Sequence, residues 1–186
     1  MCGILGSINV NNSADYLDCI KHRGPDGSGK QSFTINNNTV ELMHRRLSII
    51  DLSEAGSQPM FSSNNKSCIS FNGEIYNHQH LKEKLNHLPF KGHSDTETII
   101  NYFDQFGISR SLRDLNGIFA FAWLDLKNNL LHLARDRFGI KPLYYHFENN
   151  RLLFSSELRP IRACLHPAVH KGALMNSLSM RYTPSP

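Results

Sequence analysis

Along the chain, apolar and β-branched residues gather in short runs separated by clusters of asparagine, glycine, serine and proline. The runs at 4–10, 39–44, 67–71, 117–126, 130–134, 143–147 and 151–155 read as β-strands. The breaks Asn36-Asn37-Asn38, Lys127-Asn128-Asn129 and Glu148-Asn149-Asn150 are too short for parallel crossovers and suit antiparallel hairpins. Helical spacing takes over at 77–88 and at 95–106, where Ile99, Ile100, Phe103 and Phe106 share one face and Ser94 or Asp95 can cap the start. The pattern predicts an α+β domain whose sheet is mainly antiparallel, built as two sheets or as one sheet covered by helices. Asn36 to Asn38 and Ser62 to Asn65 read as loop tips, and the tail ending Tyr182-Thr183-Pro184-Ser185-Pro186 reads as a linker.

Composition narrows the picture by exclusion. At 186 residues one well-buried domain is expected, and no apolar run approaches the roughly 20 residues needed to span a bilayer, so no membrane is expected as a partner. The start, MCGILGSINV, lacks the basic stretch of a secretory signal, which places the chain in the cytoplasm. Cys2, Cys19, Cys68 and Cys164 are scattered without a CxxC pair, so neither a disulfide framework nor a zinc site is expected. Ten histidines occur without HExxH or a matched carboxylate set, and no metal is expected. The net charge of +4 comes from dispersed residues, which argues against a nucleic-acid partner. Neither a GxxxxGK[ST] loop nor a GxGxxG turn is present, so no nucleotide site is expected within this stretch.

Chemistry begins at the second residue. Removal of Met1 would expose Cys2 as the N-terminal residue, uniting a thiol with an α-amine whose reference pKa is about 8. Gly3 removes bulk beside that thiol, and Ile4-Leu5 could bury the strand that follows. Asn72-Gly73-Glu74 follows a strand-like run, where a side-chain amide and a glycine N–H can converge as an oxyanion hole; a turn dipeptide is the plainer alternative. Within Arg45-Arg46, Arg46 could clamp a substrate carboxylate and Asp95 could receive an ammonium, together suiting a zwitterionic amino acid; a surface arginine and a helix cap are their ordinary readings. His22-Arg23-Gly24-Pro25-Asp26 and Arg135-Asp136-Arg137-Phe138-Gly139 read as ion-paired loops near a site, with a structural role favoured.

The ordered blocks MCGILG, HRGPDG, HRRLSIIDLSEAGSQPM, FNGEIYN, GHSDTE, LNGIFAFAWLD, RDRFGIKPLYY and LLFSSEL resemble the class II glutamine amidotransferase domain of glutamine-hydrolysing asparagine synthetases. The resemblance covers nearly the whole chain. It implies the N-terminal-nucleophile fold, a four-layer α/β/β/α sandwich of two antiparallel sheets, with the domain at 1–178 and a linker toward an absent synthetase domain at 179–186. It further implies that Cys2 is the nucleophile with its own α-amine as base, that Asn72 and Gly73 form the oxyanion hole, and that Arg46 holds the glutamine α-carboxylate. Glu74 and Asp95 would meet the substrate α-amine, and Ile49 and Ile50 would run along the pocket.

The implied partners are L-glutamine and an ammonia-accepting synthetase domain or subunit, with a homodimer left open. The implied reaction is hydrolysis through a Cys2 thioester, with no cofactor in this domain and with ATP and magnesium expected only in the synthetase part. Two departures from the family stand out: no synthetase domain follows Pro186, and the segment between Gly6 and His22 is short, leaving room for a brief helix at 14–20. Two other readings keep the fold, namely an amidotransferase with a different acceptor and a non-catalytic regulatory module. A basic nucleic-acid binder ranks last.

Overall fold

The computed structural model describes residues 1–166 and 168–182, and within them nine strands form two antiparallel sheets. In chain order the strands are β1 (Gly3–Ile8), β2 (Gly27–Ile35), β3 (Asn38–Arg46), β4 (Met60–Phe61), β5 (Ser67–Ile75), β6 (Gly117–Asp125), β7 (Leu130–Arg135), β8 (Tyr144–Glu148) and β9 (Arg151–Ser155). One sheet has the order β2-β3-β1-β9-β8 and the other β4-β5-β6-β7. Five α-helices accompany them: α1 (His78–Glu83), α2 (Asp95–Phe106), α3 (Ile108–Asp114), α4 (Leu158–Leu165) and α5 (Lys171–Met180). Short 3-10 segments lie at Ser13–Arg23 and Glu54–Gly56.

Three hydrophobic clusters mark three seams between four layers. Leu5, Met43 and Leu153 of the first sheet pack against Ile20 of the 3-10 segment and Ile161 of α4. Between the sheets lie Val40, Leu42, Phe154, Cys68, Ala122 and Leu124. On the far side of the second sheet, Ile69, Phe71, Phe119, Phe121 and Trp123 meet Leu81 of α1 and Ile99, Ile100 and Phe103 of α2. Strand periodicity produces this sandwich, because successive side chains point to opposite faces: Phe119, Phe121 and Trp123 face the helices while Ala120, Ala122 and Leu124 face the other sheet.

Several elements depart from the pattern-based expectation. The strand expected at 4–10 ends at Ile8, since Asn9 adopts a positive φ of 55°. β2, absent from the expectation, alternates half-buried and exposed residues and carries few apolar side chains. The strand expected at 67–71 continues to Ile75, because β6 pairs with it through Asn72, Gly73 and Glu74; Asn72-Gly73 is therefore part of the strand and not a turn. The helix expected over 77–88 is only His78–Glu83, followed by turns, whereas the expected 95–106 agrees with α2. The brief helix expected at 14–20 is a 3-10 segment kinked at Ile20. α5 runs to Met180 across the expected linker boundary, and the remainder of that linker, 183–186, lies outside the described residues.

Candidate functional site

Cys2 leads into β1, and its position follows from what anchors it. Just past β9, the Ser156 N–H donates to the Ile4 carbonyl and the Ser156 hydroxyl accepts from the Ile4 N–H, and Arg23 Nε donates to the Cys2 carbonyl at 3.0 Å while Nη1 pairs with Glu157 at 3.2 Å. A side chain at Gly3 would press on Ile20 and Arg23, so glycine lets that clamp close over the backbone. The thiol faces Leu47, whose amide donates to Sγ at 3.4 Å. Burial pushes the Cys2 thiol up, against the Leu47 N–H and the positive charges of the chain terminus and Arg46, and Asp95 adds to the rise.

β5 supplies the opposite wall. Phe119 bonds through its backbone toward Asp136, so by antiparallel alternation its partner Gly73 turns its own N–H away from β6. Phe71 and Ile75 share that parity: the Phe71 N–H donates to Gln58 Oε1 at 2.7 Å and the Ile75 N–H to Asp95 Oδ2 at 2.9 Å. Gly73, between them, has no partner for its N–H among the described residues. Any side chain there would collide with the Ile118 carbonyl, which explains glycine inside a strand. Asn72 is 1% exposed, and its Nδ2 is buried without a hydrogen-bond partner. Two unused donors on adjacent residues, one side-chain and one backbone, thus border the same cavity as the thiol.

That cavity measures about 290 Å³, and all eight residues expected from the sequence line it: Cys2, Arg46, Ile49, Ile50, Asn72, Gly73, Glu74 and Asp95. Arg46, at the end of β3, donates from Nη2 to the carbonyls of Asp51 (2.5 Å) and Ser53 (2.8 Å), which folds 47–57 into an arch over the opening. The arch is tied down at Ser48 and at Asp51, since Asp26 accepts from the Ser48 N–H and Asp51 from the His93 N–H. These amide and hydroxyl donors, led by Ser53, hold the Asp51 carboxyl down to about 2. Ile49 is 71% exposed and Ile50 is also exposed, so they form the rim instead of a buried wall.

Asp95 is 4% exposed, and burial pushes its carboxyl up against the Ile75 and Thr96 amides that it accepts. It does not cap α2; Ser94 Oγ does, accepting from the Glu97 N–H at 3.1 Å. The two charge-dense loops divide in kind. Arg23 is ion-paired as expected, but the Asp136 carboxylate gathers the N–H groups of Phe119, Phe138, Ile140 and Lys141. Leu47, Gln58 and Lys141 also line the cavity and were not singled out by sequence reasoning; Lys141 sits in a motif whose pattern does not tell which residue turns inward. Among the described residues no group of three or more His, Cys, Asp or Glu could hold a metal, and no helix is long and apolar enough to cross a membrane.

A family model described as a glutamine amidotransferase domain matches residues 1–186. Glutamine-hydrolysing asparagine synthetase 1 of Bacillus subtilis is 35% identical over 199 residues, covering 100% of this chain and 30% of the relative. The amidase chyE of Penicillium rubens is 40% identical over 148 residues, covering 79% of this chain and 21% of its own. The chain thus spans less than a third of the length of these curated relatives. Among solved structures, glutamine phosphoribosylpyrophosphate amidotransferase from B. subtilis superposes with a TM-score of 0.71 at 20% identity, over 89% of this chain and 44% of that one, a likeness of fold.

Proposed function

Because the chain belongs to the glutamine amidotransferase domain family, we propose that this cavity hydrolyses the side-chain amide of L-glutamine to glutamate and ammonia, with Cys2 as nucleophile once Met1 has been removed. The observation that carries the reading is the pair of unpartnered donors, Asn72 Nδ2 and Gly73 N–H, bordering the cavity that holds the thiol. In this mechanism the Cys2 α-amine takes the thiol proton and sulfur adds to the amide carbon. Asn72 and Gly73 receive the developing oxyanion, each such donor supplying about 3 kcal/mol. The amine returns its proton to the departing nitrogen, ammonia leaves, and water cleaves the γ-glutamyl thioester to restore the thiol.

Arg46 serves the substrate α-carboxylate, since the arch carbonyls do not occupy all five guanidinium N–H groups. Asp95 and Glu74 serve the substrate α-ammonium, and the buried Asp95 gains most from a cation arriving beside it. Ile49 and Ile50 close over the ligand from the arch. Ammonia then passes to a synthetase domain or subunit, and the asparagine synthetases among the relatives favour that acceptor type, with ATP and magnesium needed only there. A cytoplasmic setting fits this chemistry. A purely hydrolytic role is the second reading, favoured by the likeness to an amidase.

The test joins intact mass to glutamate release from glutamine, comparing the chain with Cys2→Ala. Loss of Met1 and release abolished by Cys2→Ala are expected; retention of Met1, or release indifferent to the substitution, would sink the N-terminal-nucleophile mechanism.

A further inference from the structure

Lys141 is 9% exposed, yet it lines the cavity and forms no salt bridge among the described residues. Its placement is imposed by its loop, which is wound on the Asp136 carboxylate through the N–H groups of Phe138, Ile140 and Lys141 itself. Among the described residues, the one polar contact of its Nζ is the Met1 sulfur at 3.0 Å. A thioether is a weak acceptor, and an ammonium carries three donors, so this buried cation is poorly satisfied. Met1 is the residue whose departure the proposed mechanism requires, and its sulfur is one side chain's length from the Cys2 nitrogen. Excision would therefore leave Lys141 facing the new terminus across the vacated space.

We propose that Lys141 is a positioning residue for the catalytic base: standing beside the freed Cys2 α-amine as a second cation, it keeps that amine in the uncharged form that can accept the thiol proton. The proposal rests on the glutaminase reading given above. The other charged groups around the terminus are held by the fold or assigned to the substrate, and Arg46 among them keeps its positive charge and acts in the same sense as Lys141. Arg23, from the 3-10 segment, is bound to the Cys2 carbonyl and neutralised by Glu157. Arg46, from β3, is bound to the arch carbonyls, and Asp51 and Asp26 are bound to backbone amides that secure the arch. Asp95, from α2, accepts the Ile75 and Thr96 amides, and with Glu74 of β5 it faces the region assigned to the substrate ammonium. His44, behind the cavity in β3, is fully buried and neutral near physiological pH.

A like charge at short range disfavours the protonated amine. With a reference pKa of about 8, an unassisted terminus would be mostly charged at neutral pH and unable to act as base.

The test is the pH profile of kcat/KM for glutamate release, on chain shown by intact mass to have lost Met1. Lys141→Met keeps the length and removes the charge, and it should move the acid limb up by about one pH unit. Lys141→Arg should bring the limb back. An acid limb unmoved in Lys141→Met while release still depends on Cys2 would overturn this proposal alone. Release that ignores Cys2→Ala would bring down the glutaminase reading and this proposal with it. Should Lys141→Met not fold, nitrogen-15 NMR titration of the Cys2 amine in the unaltered processed chain decides. Titration well below the reference value of about 8 is expected, and titration at or above it would overturn the proposal.

Discussion

Gly56 sits under the Arg46 guanidinium, and an added methyl would lie 2.5 Å from Nη2 and 3.1 Å from the Asp51 carbonyl. Arg46 cannot yield without giving up its bonds to Asp51 and Ser53, so Gly56→Ala should displace the group proposed to hold the substrate carboxylate. The expected outcome is a KM for glutamine raised about tenfold, the scale of one charge-assisted hydrogen bond, with kcat little changed. Steady-state glutamate release checks it, and a fall confined to kcat would contradict it. At this scale much of the site was legible. Taken singly, Cys2, Asn72, Gly73, Arg46 and Asp95 each have a plainer reading, and it is the resemblance of the ordered sequence blocks that assigns them together, to one cavity in the structure. Lys141 was not, since a lone lysine in a loop is ordinarily solvated and only the winding of 136–141 on Asp136 turns it inward.

Among the elements, α2 is the one in which local and tertiary signals agree. Ser94 caps it, Asp95 and Glu97 lie in its first turn where the helix dipole favours acids, and Gly107 at φ 76° ends it. Ser94→Ala removes the acceptor for the Glu97 N–H and should cost about 1 kcal/mol, lowering Tm by about 2–4 °C in a domain of this size. Thermal denaturation followed by circular dichroism would read this, and an unchanged Tm would argue against the cap. β5 shows the reverse case. Asn72-Gly73 has local turn chemistry, but the full-length pairing with β6 keeps it extended, and the site depends on that override, because only a strand edge aligns Phe71, Gly73 and Ile75 N–H on one side. β2 escaped the pattern because an edge strand in contact on one face only needs few apolar residues.

For the whole molecule, His44 joins the two sheets behind the cavity: its Nε2 hydrogen-bonds the Phe71 carbonyl at 3.1 Å, next to Asn72. Burial holds the His44 imidazole down to about 4, from an ordinary 6.5. A base with a depressed folded pKa contributes stability that is complete above the unfolded value and is lost as pH falls from about 6.5 to about 4, because the unfolded chain takes up the proton first. Full protonation over that window is worth about 3 kcal/mol. Urea unfolding at pH 7 and pH 5 should therefore show a loss of stability that shrinks in His44→Gln; an equal loss in both chains would count against a neutral buried His44.

Spacing alone determined the strand-rich α+β class, the antiparallel hairpins and α2, because each is written in local periodicity, while residue chemistry and the order of the sequence blocks supplied the candidate side chains for the proposed glutamine site. Tertiary structure decided which of those groups meet. Cys2, Arg46, Asn72 and Asp95 lie far apart along the chain and share one cavity only because two sheets stack β1 and β3 over β5. It also decided that the Gly73 N–H points away from β6, unpartnered among the described residues, and that Lys141 is buried, since strand parity and loop winding are set by the fold around them.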